Sequence, residues 1–182
     1  ELELSRKAML AAGKPPRYAG TCLELTAAQR RDRAARGLAA TLRFRVHQGA
    51  EVAFDDFVHG SQRFATDEIG DFIVRRADGS AAFFFCNAVD DAPMGVTHVL
   101  RGSDHLTNTP RQILLLTALG LLVPAYGHVS LIVGEDGAPL SKRHGATSLA
   151  DLRRQGYLAA AVRNHLFRLG HSGSEQGFMD LE

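Results

Sequence analysis

Val96-Thr97-His98-Val99-Leu100, Arg101-Gly102-Ser103-Asp104-His105-Leu106-Thr107-Asn108, Thr109-Pro110-Arg111-Gln112-Ile113-Leu114-Leu115-Leu116: these three consecutive pieces read as a strand, a polar connection and a helix. The first is short and rich in β-branched residues, as strands are. The third opens with proline at the first helical position, where its missing N–H costs nothing. It continues to about Leu119, and Gly120 stops it. Its apolar run Ile113 to Leu116 is flanked by polar residues, so it reads as a buried helix face. Val129 to Val133 is expected to be a further buried strand. It is followed by the polar turn Gly134-Glu135-Asp136-Gly137 and the loop Leu140-Ser141-Lys142-Arg143-His144-Gly145. Strand, helix and strand in alternation mark an α/β core.

The pattern changes on either side of this core. Upstream, Leu42, Phe44 and Val46 alternate with Arg43, Arg45 and His47, which is strand period. Val52-Ala53-Phe54, Phe57-Val58 and Phe72-Ile73-Val74 follow at short intervals, with turns at Gly49, Gly60 and Asp78-Gly79. This small, mostly antiparallel region is expected to close with an apolar strand from Ala82 to Cys86. Residues 1–40 are helix-rich: one helix to Ala12, stopped by Gly13-Lys14-Pro15-Pro16, and a second from the N-cap Thr26 to about Ala39. Downstream, helices are expected from Leu149 to Arg154 and from Leu158 to Leu169. An α/β core interrupted by a β-containing insertion is the simplest architecture. The chain opens on Glu1 inside a helix-like segment and ends at Glu182 after a Gly/Ser-rich stretch, which reads as a piece of a longer protein.

Composition narrows the function classes. Of 182 residues, 45% are hydrophobic and 23% charged, with a net charge of +1. That suffices for a globular core but sets up no global basic field, so nucleic acid must be met by a local patch. Cys22 and Cys86 lie far apart without a disulfide pattern, which fits a reducing, cytoplasmic setting. No apolar run approaches the roughly 20 residues of a membrane helix.

Three constellations carry chemistry. Ser141, Lys142 and Arg143 place a hydroxyl and two cations after a strand, where they would neutralise a polyphosphate through charge-assisted hydrogen bonds; an ordinary solvated loop has the same composition. Arg101 sits where a strand ends, the place at which α/β sheets collect ligands, and its fork suits a carboxylate. A structural ion pair with Asp104 or Asp91 is the alternative. Asn87, in Asn87-Ala88-Val89-Asp90-Asp91, reads as a helix N-cap, a ligand-binding amide or both. A basic stripe on the second helix, Arg30, Arg33 and Arg36 with Arg31 off to the side, suits phosphates or simply solvent.

Taken together, Asn87 to Asp91, His98 to Gly102, Asp104-His105-Leu106, Asn108 to Gln112 and Leu140 to Gly145, in this order and at these separations, resemble the bacterial-type glutamyl-tRNA synthetases of class I. Gly13 to Tyr18 and Gly156-Tyr157-Leu158 add to the match, which covers nearly the whole chain. The resemblance implies the second half of a Rossmann-like catalytic domain (residues 81–145), an inserted α+β domain for the tRNA acceptor stem (1–80), and the start of a helical stem-contact region (146–182). It implies activation of glutamate with ATP and Mg2+, then transfer to tRNA(Glu), by a monomeric cytoplasmic enzyme. Lys142 becomes the catalytic residue, Ser141, Lys142 and Arg143 the ATP contacts, and Phe83, Asn87, Arg101 and His105 the glutamate pocket. Arg30, Arg33 and Arg36 fall in the insertion as tRNA contacts.

Several positions depart from the family pattern. The first signature, His-Ile-Gly-His, and the anticodon-binding helices are not in this stretch. The second, usually Lys-Met-Ser-Lys-Ser, has Pro139 in place of its first lysine. Ser103 replaces a glutamate, and Phe83 replaces a tyrosine whose hydroxyl meets substrate. Many relatives hold zinc near Cys22; a single thiolate here falls short of four ligands, so no metal site is expected. Because the first signature lies outside this stretch, the 182 residues by themselves are expected to be inactive. A non-catalytic remnant or paralogue keeping the fold and RNA contacts, and an enzyme that glutamylates a modified base in tRNA(Asp), stay open beside the ligase.

Overall fold

The computed structural model describes residues 2–13, 17–18, 20–134, 136–140 and 148–170. They fall into two compact units, one of residues 1–100 and 105–128, the other of residues 101–104 and 129–182. The first unit contains the expected N-terminal helices, α1 (Leu2–Ala11) and α2 (Ala27–Ala35). Thr26 caps α2 through a reciprocal box with Gln29: each side chain bonds the other's backbone N–H, satisfying two orphan donors. The helix stops at Ala35, four residues before the expected Ala39. Gly37 takes φ 73°, and the amides of Gly37 and Leu38 turn back to the carbonyls of Ala34 and Arg33. That Schellman closure needs a left-handed residue, which glycine provides.

The β region forms as alternation predicts. Strand β1 (Leu42–Phe44) pairs antiparallel with β4 (Phe72–Arg75), and the hairpin β2 (Glu51–Asp56) with β3 (Gly60–Ala65) runs in unbroken register from Glu51 opposite Ala65 to Asp56 opposite Gly60. Phe57 and Val58, expected as strand, are instead the hairpin turn, because the Asp56 carboxylate accepts the amides of Val58 and His59 at 2.9 Å each. A short helix α3 (Thr66–Ile69) links the hairpin to β4. Val46, Val52, Ile69, Phe72, Val74 and Leu115 make the core, with Phe44, Phe64, Phe84 and Phe85 packed on it.

The expected strand from Ala82 to Cys86 is a helix, α4 (Phe83–Asp91). A continuous apolar run reads equally as buried strand or buried helix. Burial at helical spacing decides it here. Phe84, Phe85 and Ala88 turn inward, and Phe84 meets Phe72 edge-on at 5.2 Å. Ala82 remains extended and donates to Val74 O at 2.9 Å, closing the sheet just before the helix begins.

Next come β5 (His98–Gly102), two residues later than expected, a 3-10 helix (Ser103–Asn108), and α5 (Thr109–Ala118) with Pro110 in its first turn. Leu115 and Leu116 are buried as predicted. The following strand, β6, spans Ala125–Val129 rather than Val129 to Val133. Tyr126, Gly127 and His128 are buried whereas Val129, Ile132 and Val133 are exposed, so pairing partners and not apolar content set its position. The four-stranded sheet has the order β3-β2-β6-β5, with β6 parallel to β2 at Asp56 opposite Tyr126. The architecture is mixed α/β.

In the second unit, Val133 forms an antiparallel bridge with Pro139, with Gly134 donating to Ala138 O and Leu140 to Ile132 O at 2.9 Å each. Helix α6 (Leu149–Arg154) is capped by Ser148 in a box with Asp151, and α7 (Ala159–Gly170) follows Tyr157-Leu158. No helix among the described residues is long and apolar enough to cross a membrane.

Candidate functional site

Helix α4 brings Phe83 and Asn87 one turn apart on one face. The Phe83 ring, about half exposed, lies 5.4 Å from the imidazole of His105, tilted 34°. Three of the four residues expected to meet the amino acid therefore share one neighbourhood in the first unit. Asn87 is not a helix N-cap, because the preceding segment is helical. Its Oδ1 instead accepts from Gln112 Nε2 at 2.9 Å, and the same amide reaches Phe84 O at 3.3 Å. Gln112 is 1% exposed, so this amide pair ties α4 to α5 and points the Asn87 side chain in one direction. Arg101, the fourth, stands partly buried on β5 in the second unit.

His105 is oriented from its other side. The Asn108 side-chain amide donates to its Nδ1 at 3.1 Å, which leaves Nε2 to carry the proton of the neutral ring. Arg111 donates to the carbonyl of Thr107, and burial pushes its guanidinium below the usual value. Behind this turn lies a buried polar chain. Asp56 Oδ2 accepts from His128 Nδ1 at 2.5 Å, and His128 Nε2 meets Thr109 Oγ1 at 3.0 Å. Burial alone would raise the Asp56 carboxyl. Its bonds to the His128 ring and to the amides of His59, Val58 and His128 outweigh that and bring it down to about 2. Asn108 and Gln112 stood out in the sequence only as members of the motif Asn108 to Gln112, without a role of their own, and Asp56 and His128 did not stand out at all. The available signal was a polar residue at an apolar-strand position, His128 within Ala-Tyr-Gly-His-Val, which demands a buried partner.

The basic helix is wholly exposed. Arg30 reaches back to Leu23 O at 3.4 Å and Arg33 to Cys22 Sγ at 3.6 Å, so these two share a face, as their spacing predicts. Arg36 sits at the C-cap, beside Asp32 at 3.7 Å. Nearby, a cleft of about 350 Å³ is lined by Arg17, Tyr18, Leu23, Arg45, Gln48 and Asp71. It is separate from the Phe83–His105 neighbourhood. Arg43 stacks over the Tyr18 ring at 4.1 Å, and the Tyr18 hydroxyl accepts from the Cys22 amide at 2.7 Å. Both cysteines are free thiols. Ser141, Lys142 and Arg143 lie outside the described residues.

The family model for the catalytic domain of class I tRNA synthetases (E and Q) matches residues 1–182. Glutamate–tRNA ligase 2 of Alkalilimnicola ehrlichii is 70% identical over all of this chain and 39% of its own length. Glutamate–tRNA ligase 2 of Nitrosococcus oceani is 61% identical over the same shares. Among solved structures, the glutamate-tRNA synthetase of Elizabethkingia anophelis superposes with TM-score 0.80 at 26% identity, covering 94% of this chain and 40% of that one. A glutamate tRNA ligase from Elizabethkingia meningosepticum, solved with its amino acid, gives 0.75 at 26% identity over 90% and 38%. The chain thus spans about 39% of the length of the curated relatives it matches. A family match over every residue, joined to a mixed α/β fold that superposes on these structures, is sufficient for an assignment: the chain belongs to the catalytic-domain family of class I tRNA synthetases specific for glutamate and glutamine.

Proposed function

We propose that this chain is part of a glutamate–tRNA ligase and carries its amino-acid pocket. The observation that carries the reading is the convergence of Phe83, Asn87 and His105, held by Gln112 and Asn108, in a chain 70% identical to a protein named for this activity. Arg101 would hold the glutamate side-chain carboxylate in its bidentate fork, with Asn87 and His105 fixing the rest of the molecule. The α-carboxylate then attacks the α-phosphorus of ATP. A mixed anhydride forms, pyrophosphate leaves, and a tRNA terminal hydroxyl displaces AMP. Lys142 meets the charge growing on pyrophosphate, a contact stronger in the transition state than in the ground state. Magnesium would travel with the ATP phosphates, as it does where one or two protein ligands suffice. Residues 1–80 would receive the acceptor stem, supported by Arg30, Arg33 and Arg36 on an open helix and by Arg17 and Arg45 in the neighbouring cleft. Such contacts position RNA without reading bases.

The test is Arg101→Ala in the complete ligase. Losing one partner of a desolvated charge pair costs on the order of 2–5 kcal/mol, so the glutamate KM should rise at least about thirtyfold while the ATP KM changes little. An unchanged glutamate KM with lowered stability would assign Arg101 to an ion pair instead. Glutamate recovered on a modified base rather than on the terminal ribose would refute the ligase reading.

A further inference from the structure

The chain Asp56–His128–Thr109 is buried throughout, with His128 and Thr109 at 0% and Asp56 at 2% exposure. It runs from the end of β2, through β6, to the first residue of α5. Asp56 is saturated. Its Oδ1 accepts from Val58 and His59 at 2.9 Å and from the His128 amide at 3.2 Å, and its Oδ2 takes the His128 ring. A carboxylate at Nδ1 holds the proton there and sets which face of the imidazole Nε2 presents. Nε2 then fixes the Thr109 hydroxyl at 3.0 Å. Thr109 directly follows Asn108, whose amide orients His105. One turn on, Gln112 holds Asn87. The first turn of α5 thus has two buried polar anchors: Gln112 bonds the pocket residue Asn87 directly, and Thr109 adjoins Asn108, which bonds His105.

An apolar trio of the same shape would hold β2, β6 and α5 together with no desolvation cost. What hydrogen bonds add is direction: they fix ring and hydroxyl rotamers, and a satisfied buried network selects a single arrangement. We propose that Asp56, His128 and Thr109 are positioning residues for the amino-acid pocket, fixing the first turn of α5 and, through Asn108, the ring of His105. This rests on assigning Phe83, Asn87 and His105 to the glutamate pocket. Asp56 and His128 touch no substrate; they act through Thr109 and Asn108.

The experiment measures aminoacylation by the complete ligase against glutamate and against ATP, for Asp56→Asn, Thr109→Val, Thr109→Ser and His105→Ala, with a melting curve for each. Asp56→Asn turns an amide N–H toward Nδ1 and reverses the His128 tautomer. Thr109→Val removes the hydroxyl and leaves the Asp56–His128 pair intact, so it stays informative if Asp56→Asn folds poorly. Both should raise the glutamate KM about tenfold, the usual scale for lost orienting partners, while the ATP KM stays within about twofold. Thr109→Ser, which keeps the hydroxyl, should restore glutamate KM. The relay is overturned if His105→Ala raises the glutamate KM and the Asp56 and Thr109 variants change only melting temperature, or change both KM values alike. If His105→Ala itself leaves the glutamate KM unaltered, the pocket assignment fails first and the relay with it.

Discussion

Replacing Asp56 by asparagine should remove one defined segment of the acid-stability curve. The folded carboxyl lies at about 2 against an ordinary 3.8. At about 1.4 kcal/mol per unit, this depression is worth about 2 kcal/mol. Because the folded value is the lower one, that stabilisation is fully present above about pH 4 and is lost as pH falls toward 2. Asparagine stands in for the protonated acid: it keeps an oxygen for the Val58 and His59 amides but offers His128 no negative partner. Urea unfolding followed by circular dichroism, with wild type and Asp56→Asn side by side, gives the measurement. The difference between them should be about 2 kcal/mol at neutral pH and under about 1 kcal/mol near pH 2.5. Asp78 and Asp151 are also held below the usual carboxylate range, by Ser80 and Ser148, but they are common to both proteins and cancel in the difference. A difference that stays constant from neutral pH to 2.5 would show that Asp56 is not ionised against His128, and the reasoning would fail.

Two further outcomes follow from the site and the basic helix. Phe83→Tyr adds a hydroxyl to the ring that lies 5.4 Å from His105; one added hydrogen bond of about 0.5–1.5 kcal/mol to glutamate should lower its KM about twofold to tenfold in the complete ligase, and an unchanged KM would place the Phe83 ring outside the pocket. Exchanging Arg30, Arg33 and Arg36 together for glutamine should weaken tRNA binding and make its salt dependence shallower, since fewer counterions are released, whereas a wild-type slope would make α2 a solvated face.

Where the sequence was legible, a local rule had no rival. Thr26 caps its helix because a hydroxyl three residues before a side-chain acceptor satisfies amides whatever the rest of the fold does. Pro110 opened α5 for the same kind of reason. The failures fell where apolar content stood in for geometry. Phe83-Phe84-Phe85 has no period of its own; only the core offered by Phe72 and Leu115 makes it helical. Val129 to Val133 looked like the strand because it is richer in Val, Leu and Ile than Ala125 to Val129. Yet the parallel ladder forms where Tyr126 stands opposite Asp56, so the strand runs through a tyrosine, a glycine and a histidine instead.

The site divides along the same line. Phe83, Asn87 and His105 could be named because they lie in a recognisable order along the chain, and their order survives any error about helix or strand. The misplaced strand at Ala82 to Cys86 did change what Asn87 does: a cap at a strand end became a mid-helix amide bonded across to Gln112. The supporting residues were invisible for a different reason. Asp56 and His128 are 72 residues apart, and neither sits in a run with chemical character. Their meaning comes entirely from pairing β2 with β6 in parallel, a contact that no local period encodes. A buried histidine without its carboxylate would be a defect, and a buried aspartate without its histidine a larger one. Each therefore argues for the other only once the sheet is known, and the pair belongs to the fold before it can serve the pocket.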